Sequence, residues 1–188
     1  MKKPADFGQW AYFFLFLHPL SIVRLFSNTP TVKCHKYLKM IELRRTNSDN
    51  LDFIELVKHL DADLAQRDGE EHAFYDQFNK ITHIKHAVVV YENSQPVGCG
   101  AIKELDPQSM EVKRMYTIPA FRGKGLATIV LNELEKWASE LSYSRCVLET
   151  GKKQPEAIEL YKKNGYVLIP NYGQYIGIEN SVCFEKRL

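Results

Sequence analysis

Several common marks of chemistry are missing from this chain of 188 residues. Its four cysteines, Cys34, Cys99, Cys146 and Cys183, form no C-x-x-C pair, and none has His or acid partners at ligand spacing. A zinc knuckle and a thiol-nucleophile site are thereby disfavoured, and no metal is expected. Buried free thiols in a reducing, cytoplasmic setting fit better. The six His are scattered and never form H-E-x-x-H, so each reads as surface or packing. Excess charge of one sign is absent as well: the net charge is +2. Residues 1–39 hold six Lys/Arg against Asp6 alone, so the remainder is mildly acidic. A dedicated nucleic-acid binder usually shows a basic face, and this chain is not expected to bind nucleic acid.

Long apolar runs are lacking too. The most hydrophobic stretch, residues 10–26, is uninterrupted only over Trp10–Leu17, and His18, Pro19 and Arg24 break the rest. A membrane span needs roughly 20 apolar residues. Three readings of residues 1–39 stand: a membrane-surface or partner-binding segment, an added helix packed on the domain, or sequence upstream of the true start. The last is preferred, because Met40 opens "MIELRR", a natural first strand. The domain is therefore placed at 40–188.

What is present is a core. Apolar residues make up 45% of the chain and charged residues 26%, which suits a folded domain. "IELRR" (41–45) alternates like a strand. Apolar residues at three- and four-residue steps predict an amphipathic helix over 50–66, ended by Gly69, and a second helical stretch over about 71–80. "HAVVVYE" (86–92), a turn at 93–96 and "VGCGAIKEL" (97–105) read as a hairpin. A turn at 106–109 and a strand at 110–118 extend it into an antiparallel meander. A long helix from about Gly125 and a strand at 144–150 form a strand–helix–strand unit, normally parallel. A helix at 154–166, with Pro155 in its first turn, precedes strands at 166–170 and 181–188. The expectation is one α+β domain on a mixed, mostly antiparallel sheet of about six or seven strands, with helices on both faces.

The segment "PAFRGKGLA" (119–127) sits between the third meander strand and the long helix. It fails the P-loop template, since Gly123-Lys124 is followed by Gly125 and the required earlier glycine is Ile118. It fits a dinucleotide loop poorly, since Thr128 occupies the third glycine. Small residues at a helix start still suit a pyrophosphate bound through backbone amides. The plain alternative is a basic turn entering a helix.

Arg122-x-x-Gly125-x-Ala127 resembles the Arg/Gln-x-x-Gly-x-Gly/Ala loop of the GNAT acetyltransferase superfamily. "VKRMYTIPAFRGKGLATIVLNELEKWA" (112–138) is similar to its central strand, loop and helix. "LETGKKQPEAIELYKKNGY" (148–166) is similar to its second conserved block, and the ending resembles a bacterial subgroup of unassigned substrate. The resemblance covers about residues 40–188. It implies the acyl-CoA N-acyltransferase fold, with the strands at 110–118 and 144–150 splayed apart, and acetyl-CoA as donor. It implies that the backbone of Met115, Tyr116 and Thr117 pairs with the pantetheine arm. The amides from Arg122 through Gly123, Lys124, Gly125, Leu126 and Ala127 to Thr128 would take the pyrophosphate. Gln154 stands where the family often has Asn, which puts its contact with CoA in question. Tyr161 falls at the family's common tyrosine, a general acid for the CoA thiolate. Its plain alternative is a half-buried aromatic.

For the base, Glu111 is the candidate, with burial expected to raise its pKa. The alternative is a carboxylate salt-bridged to Lys113. Glu149 is a weaker candidate, and water or desolvation alone also suffices. The acceptor pocket is expected from 61–77, whose acids (Asp61, Asp63, Asp68, Glu70, Glu71, Asp76) suit a cationic amine or form a solvated face, and from 171–180, with Tyr172 and Tyr175 as walls. The implied activity is N-acetylation of a small-molecule or amino-acid-like amine. A protein acetyltransferase and a non-catalytic acyl-CoA sensor remain open, and so does a homodimer.

Overall fold

Apolar residues fill 87–91 and, together with Gly98 and Gly100, 97–102, and they build the centre of the sheet. The computed structural model describes residues 40–188 apart from 70–74, 76, 78, 79 and 83. Residues 1–39 lie outside the described residues, as does most of the helical stretch expected at 71–80. Seven strands run in the order β1-β2-β3-β4-β5-β7-β6: β1 (Ile41–Thr46), β2 (His86–Glu92), β3 (Gln95–Asp106), β4 (Ser109–Thr117), β5 (Arg145–Gly151), β6 (Val167–Ile169) and β7 (Ser181–Arg187). All neighbours are antiparallel except β4 and β5.

Alternation along β2 serves both faces of the sheet. Ala87, Val89 and Tyr91 pack under α1 (Leu51–Asp68), with Phe53, Leu56, Val57, Leu60 and Leu64. Val88 and Val90 pack on the opposite face, under α2 (Leu126–Glu140), with Leu126, Val130, Leu131 and Leu134. Tyr161 of α3 (Pro155–Lys163) joins that second layer. α1 starts where Asn50 accepts from the Phe53 amide at 2.9 Å, a side-chain N-cap.

Two local boundaries differ from the sequence expectation. The β2–β3 turn is two residues, Asn93 and Ser94, both at positive φ (53° and 66°), so β3 begins at Gln95. Such turns match the twist of a hairpin. Pro96 fits inside the strand because the register shifts beside it. α3 stops at Lys163 rather than 166, and Gly165 turns the chain at φ 85°.

One irregularity positions the site. Cys99 pairs with Tyr116 but Ala101 pairs with Lys113, so β4 carries an extra residue there. Arg114 takes it up at φ 58°, a β-bulge in a non-glycine residue. β4 pairs with β5 only from Ser109 to Glu111, opposite Arg145 to Val147. Beyond Glu111 the two parallel strands part, and the sheet is split down its middle.

Candidate active site

The loop after β4 is shaped by its glycines. Pro119–Phe121 form a short 3-10 turn. Gly123 and Gly125 follow at φ 75° and 80°, which side chains with a Cβ rarely adopt. Open space surrounds both: nothing lies within 4 Å of where a Cβ would stand. Gly125 is the N-cap of α2, and no side chain caps that helix. The first-turn amides of α2 are thus left for a ligand, at the positive end of the helix dipole. That open, amide-lined cradle fits a pyrophosphate.

The two cations of the loop already have partners. Arg122 Nε donates to the Thr117 carbonyl at 2.9 Å, and Nη2 pairs with Asp63 at 2.9 Å. Lys124 Nζ lies 3.5 Å from Glu92 and 4.3 Å from the centre of the Phe121 ring. Arg122 therefore braces the loop against β4 and α1, and Lys124 points to β2.

A cavity of about 460 Å³ runs along the split. Its walls come from both faces of the sheet: Leu60, Leu64 and Tyr75 on the α1 side, Leu126, Leu160 and Tyr161 on the other. Of the residues singled out from the sequence, Glu111, Met115, Tyr116, Thr117, Arg122, Gly123, Gly125, Leu126, Ala127, Thr128, Gln154 and Tyr161 all line it, and Lys124 does not. The β4 edge at Met115–Thr117 faces the split with no β5 residue opposite it. Such an edge can pair with an extended ligand arm. The Tyr116 ring itself packs under α1. Gln154 N-caps α3, and its carbonyl accepts from Ala157.

Tyr161 is 5% exposed, with its ring against Tyr166 and Phe184 at 5.7 and 6.2 Å. Burial raises its pKa above the ordinary tyrosine value, and the Glu149 charge adds to the shift. Its phenol therefore holds its proton until a strong base meets it. Glu111 is buried and carries two partners: Lys113 Nζ at 3.0 Å and the Tyr172 hydroxyl, donating at 3.0 Å. The lysine pair foreseen as the alternative for Glu111 is thus present. Glu149, two residues beyond the last β4–β5 pair, accepts from Ser181 Oγ at 2.6 Å and lines the same cavity.

Of the acids of 61–77, Asp63 lines the cavity. Asp61 pairs with the buried Arg114 guanidinium, and Asp63 with Arg122. The side chains of Asp68, Glu70, Glu71 and Asp76 lie outside the described residues. Sequence reasoning missed the ion pair of Arg67 with Glu156, which ties α1 to α3 across the split. It also missed Ser181, which joins Tyr75 to Glu149. Their partners are up to 106 residues distant, so no local signal marks them. Cys99 and Cys146 are free and buried, and burial pushes both thiols up to about 12. Neither is a nucleophile at neutral pH. No helix among the described residues is long and apolar enough to cross a membrane.

A seven-stranded mixed sheet split between two parallel strands, with a glycine loop beneath the split, defines the acyl-CoA N-acyltransferase fold. The model of the acetyltransferase (GNAT) family matches residues 53–166, and the chain belongs to that family. It is 35% identical over 100 residues to the uncharacterized N-acetyltransferase YsnE of Bacillus subtilis, covering 52% of this chain and 66% of that one. It is 40% identical over 82 residues to the uncharacterized N-acetyltransferase YjgM of Escherichia coli, covering 42% and 48%. The matches thus span less than two thirds of these curated relatives' own length. A putative acyl-CoA N-acyltransferase from Klebsiella pneumoniae has the same fold at TM-score 0.66 and 31% identity, over 79% of this chain and 98% of that one. A family acetyltransferase from Elizabethkingia anophelis, solved with acetyl-CoA bound, shares the fold at TM-score 0.58 and 17% identity, over 79% and 98%.

Proposed function

We propose that the protein is an acetyl-CoA-dependent N-acetyltransferase that acts on a primary amine of a small molecule. One observation carries the reading: a cavity passes through the split sheet, with an uncapped glycine-rich helix start at one side and a buried tyrosine at its wall. The amides at Gly123–Thr128 would hold the pyrophosphate of the donor, and the Met115–Thr117 edge its pantetheine arm. The donor supplies an acetyl thioester. The chain's residues then have two tasks. A base must relieve the acceptor ammonium of a proton, so that the nitrogen lone pair can form the new C–N bond. As the C–S bond breaks, Tyr161 gives its proton to the departing sulfur. Its raised pKa suits a donor that must stay protonated until a thiolate forms. The buried free thiols go with a reducing, cytoplasmic setting.

The test is thermal shift with CoA and with acetyl-CoA, then thiol release over amines, amino acids, polyamines and peptides. Stabilisation by both nucleotides and turnover on a small amine are expected. No stabilisation by either would overturn the reading, and turnover on peptides alone would move the acceptor to proteins.

A further inference from the structure

The segment "YKKNGY" (161–166) closes α3. Gly165 stands at φ 85°, a left-handed conformation that stops the helix. Its N–H donates to the Lys162 carbonyl at 3.1 Å, and the Tyr166 N–H donates back to the Tyr161 carbonyl at 3.1 Å. These are the two bonds of a Schellman cap, with Tyr161 as the third residue from the helix end. The Asn164 N–H reaches the same Tyr161 carbonyl, also at 3.1 Å. A Schellman cap often brings together the side chains at its two ends. Here both are aromatic: the Tyr166 ring meets Tyr161 edge-on, with centroids 5.7 Å apart and planes at 61°. One cap thus grips Tyr161 by its carbonyl and by its ring.

The cap is itself held between α2 and β7. Tyr166 is buried in the layer under α2, with Leu134 and Phe184. Lys186 Nζ, on β7, pairs with Glu135 of α2 at 2.6 Å and lies 5.8 Å from the centre of the Tyr166 ring. Lys186 Cε stands 4.0 Å from where a Gly165 Cβ would be, an ordinary contact. Space would therefore admit a side chain at 165, and only the backbone angle calls for glycine. The Tyr166 hydroxyl is buried and makes no hydrogen bond of ordinary geometry. The ring and the amide of Tyr166, rather than its hydroxyl, do the holding. Neither Gly165 nor Tyr166 lines the cavity, whereas Tyr161 does. The tyrosine in the wall is thus fixed from behind.

We infer that Gly165 and Tyr166 are positioning residues for the proton donor: the cap they form aims the Tyr161 hydroxyl into the split. This rests on the reading of Tyr161 as the general acid given above. Both residues act through Tyr161 and touch no reacting atom. The leverage is large, because a misplacement of about 1 Å can cost roughly 10²-fold in rate. The left-handed angle at 165 sets where the chain turns back, and that turn sets where the Tyr166 ring meets Tyr161. Position 165 then matters for its backbone angle, and position 166 for an aromatic face.

The experiment uses the full chain and two readouts: crystal structures of the free protein, and thiol release from acetyl-CoA with the most active amine of the screen above. Gly165→Ala strains the cap, whereas Gly165→Asn supplies a residue that visits positive φ. Tyr166→Leu removes the aromatic face, whereas Tyr166→Phe keeps it. Gly165→Ala and Tyr166→Leu should move Tyr161 Oη by about 1 Å and lower kcat about 10- to 100-fold. Their KM for acetyl-CoA should stay within about twofold, since the cradle at Gly123–Thr128 is a separate site. Gly165→Asn and Tyr166→Phe should hold kcat within about threefold of wild type. In a Tyr161→Phe background, adding Tyr166→Leu should lower kcat by no more than about a further twofold, because the hydroxyl it aims is gone. Should Tyr166→Leu fail to fold, the two Gly165 variants carry the test, since neither enters occupied space. Wild-type kcat or an unmoved Tyr161 in Gly165→Ala would overturn the inference. So would a loss in Gly165→Asn equal to that in Gly165→Ala. An equal fold-loss with and without the Tyr161 hydroxyl would leave the cap a purely structural feature and overturn it as well. Unchanged kcat in Tyr161→Phe, or no turnover on any acceptor, would instead defeat the reading on which it rests.

Discussion

At the scale of single residues, the chemistry turns on groups whose surroundings set their protonation. Tyr161 is buried, and both burial and a neighbouring carboxylate push its pKa up. A group whose folded pKa is raised keeps its proton as pH climbs past the ordinary value of about 10. Turnover should therefore show no alkaline limb from Tyr161 up to pH 9, as a pH–rate profile would reveal. Tyr161→Phe removes the proton donor and little else, because the ring still packs on Tyr166 and Phe184. Its kcat should fall about 10²-fold with CoA affinity retained. An unchanged kcat would leave the thiolate to solvent. Legibility at this scale followed distance along the chain. The loop residues 122–128 were readable because glycine spacing and helix start are local. The partners of Glu111 were half readable: Lys113 is two positions away, whereas Tyr172 is 61 positions away. For Asp61 and Asp63 the sequence offered a cationic-amine contact or a solvated face, and not their ion pairs, because the cations they meet, Arg114 and Arg122, lie more than 50 residues along the chain.

At the scale of elements, the split depends on how closely β3, β4 and α2 approach. Gly100 lies opposite the β4 bulge and beneath α2. A Cβ there would stand 2.4 Å from Met115 Sδ and 2.9 Å from Leu134 Cδ1 and Val130 Cγ1. Gly100→Ala should thus cost about 1–3 kcal/mol of stability, measured by denaturant titration, through overpacking. It should also displace Met115 and weaken CoA binding. Gly125 makes the contrasting case. Open space surrounds it, but its φ of 80° strains any side chain. Gly125→Ala should cost only about 1 kcal/mol of stability. Its effect on CoA affinity should be larger, about tenfold, because the first-turn amides of α2 lose their aim. Equal losses at both glycines, read by calorimetry with CoA, would remove the distinction between packing and cradle. The strands and helices themselves were legible from alternation and helical spacing. The bulge was not, since Arg114 carries neither glycine nor any other turn signal, and only the paired register exposes it.

At the scale of the whole molecule, the split leaves the sheet in two parts, β1–β4 and β5–β7, paired with each other over only three residues of β4. α2 and α3 cover one face of the join, and on the other face α1 ties to β4 and to α3 through ions. The Arg114 guanidinium side chain is 3% exposed and meets Asp61, which is 40% exposed. Breaking a buried charge pair by removing one partner strands the other, at a cost of about 3–5 kcal/mol. Because Asp61 is partly exposed, water can replace some of what it supplies, so Asp61→Ala should fall near the lower end, about 3 kcal/mol. For a domain of this size that is a Tm lower by roughly 6–12 °C. The exposed pair of Arg67 with Glu156 should behave differently, and Arg67→Met should cost under about 1 kcal/mol. A ligand that pairs with Met115–Thr117 on one part and reaches α3 on the other adds what the sheet lacks at its middle. At a hundredfold excess over Kd, CoA should add about 2.7 kcal/mol to the folded state, or roughly 5–11 °C in Tm. Asp61→Ala should keep that increment if Arg114 serves stability alone. If the bulge at Arg114 also sets the β4 edge for the pantetheine arm, the increment should shrink with the affinity. Melting curves of wild type and Asp61→Ala, each with and without CoA, separate these two roles of Arg114.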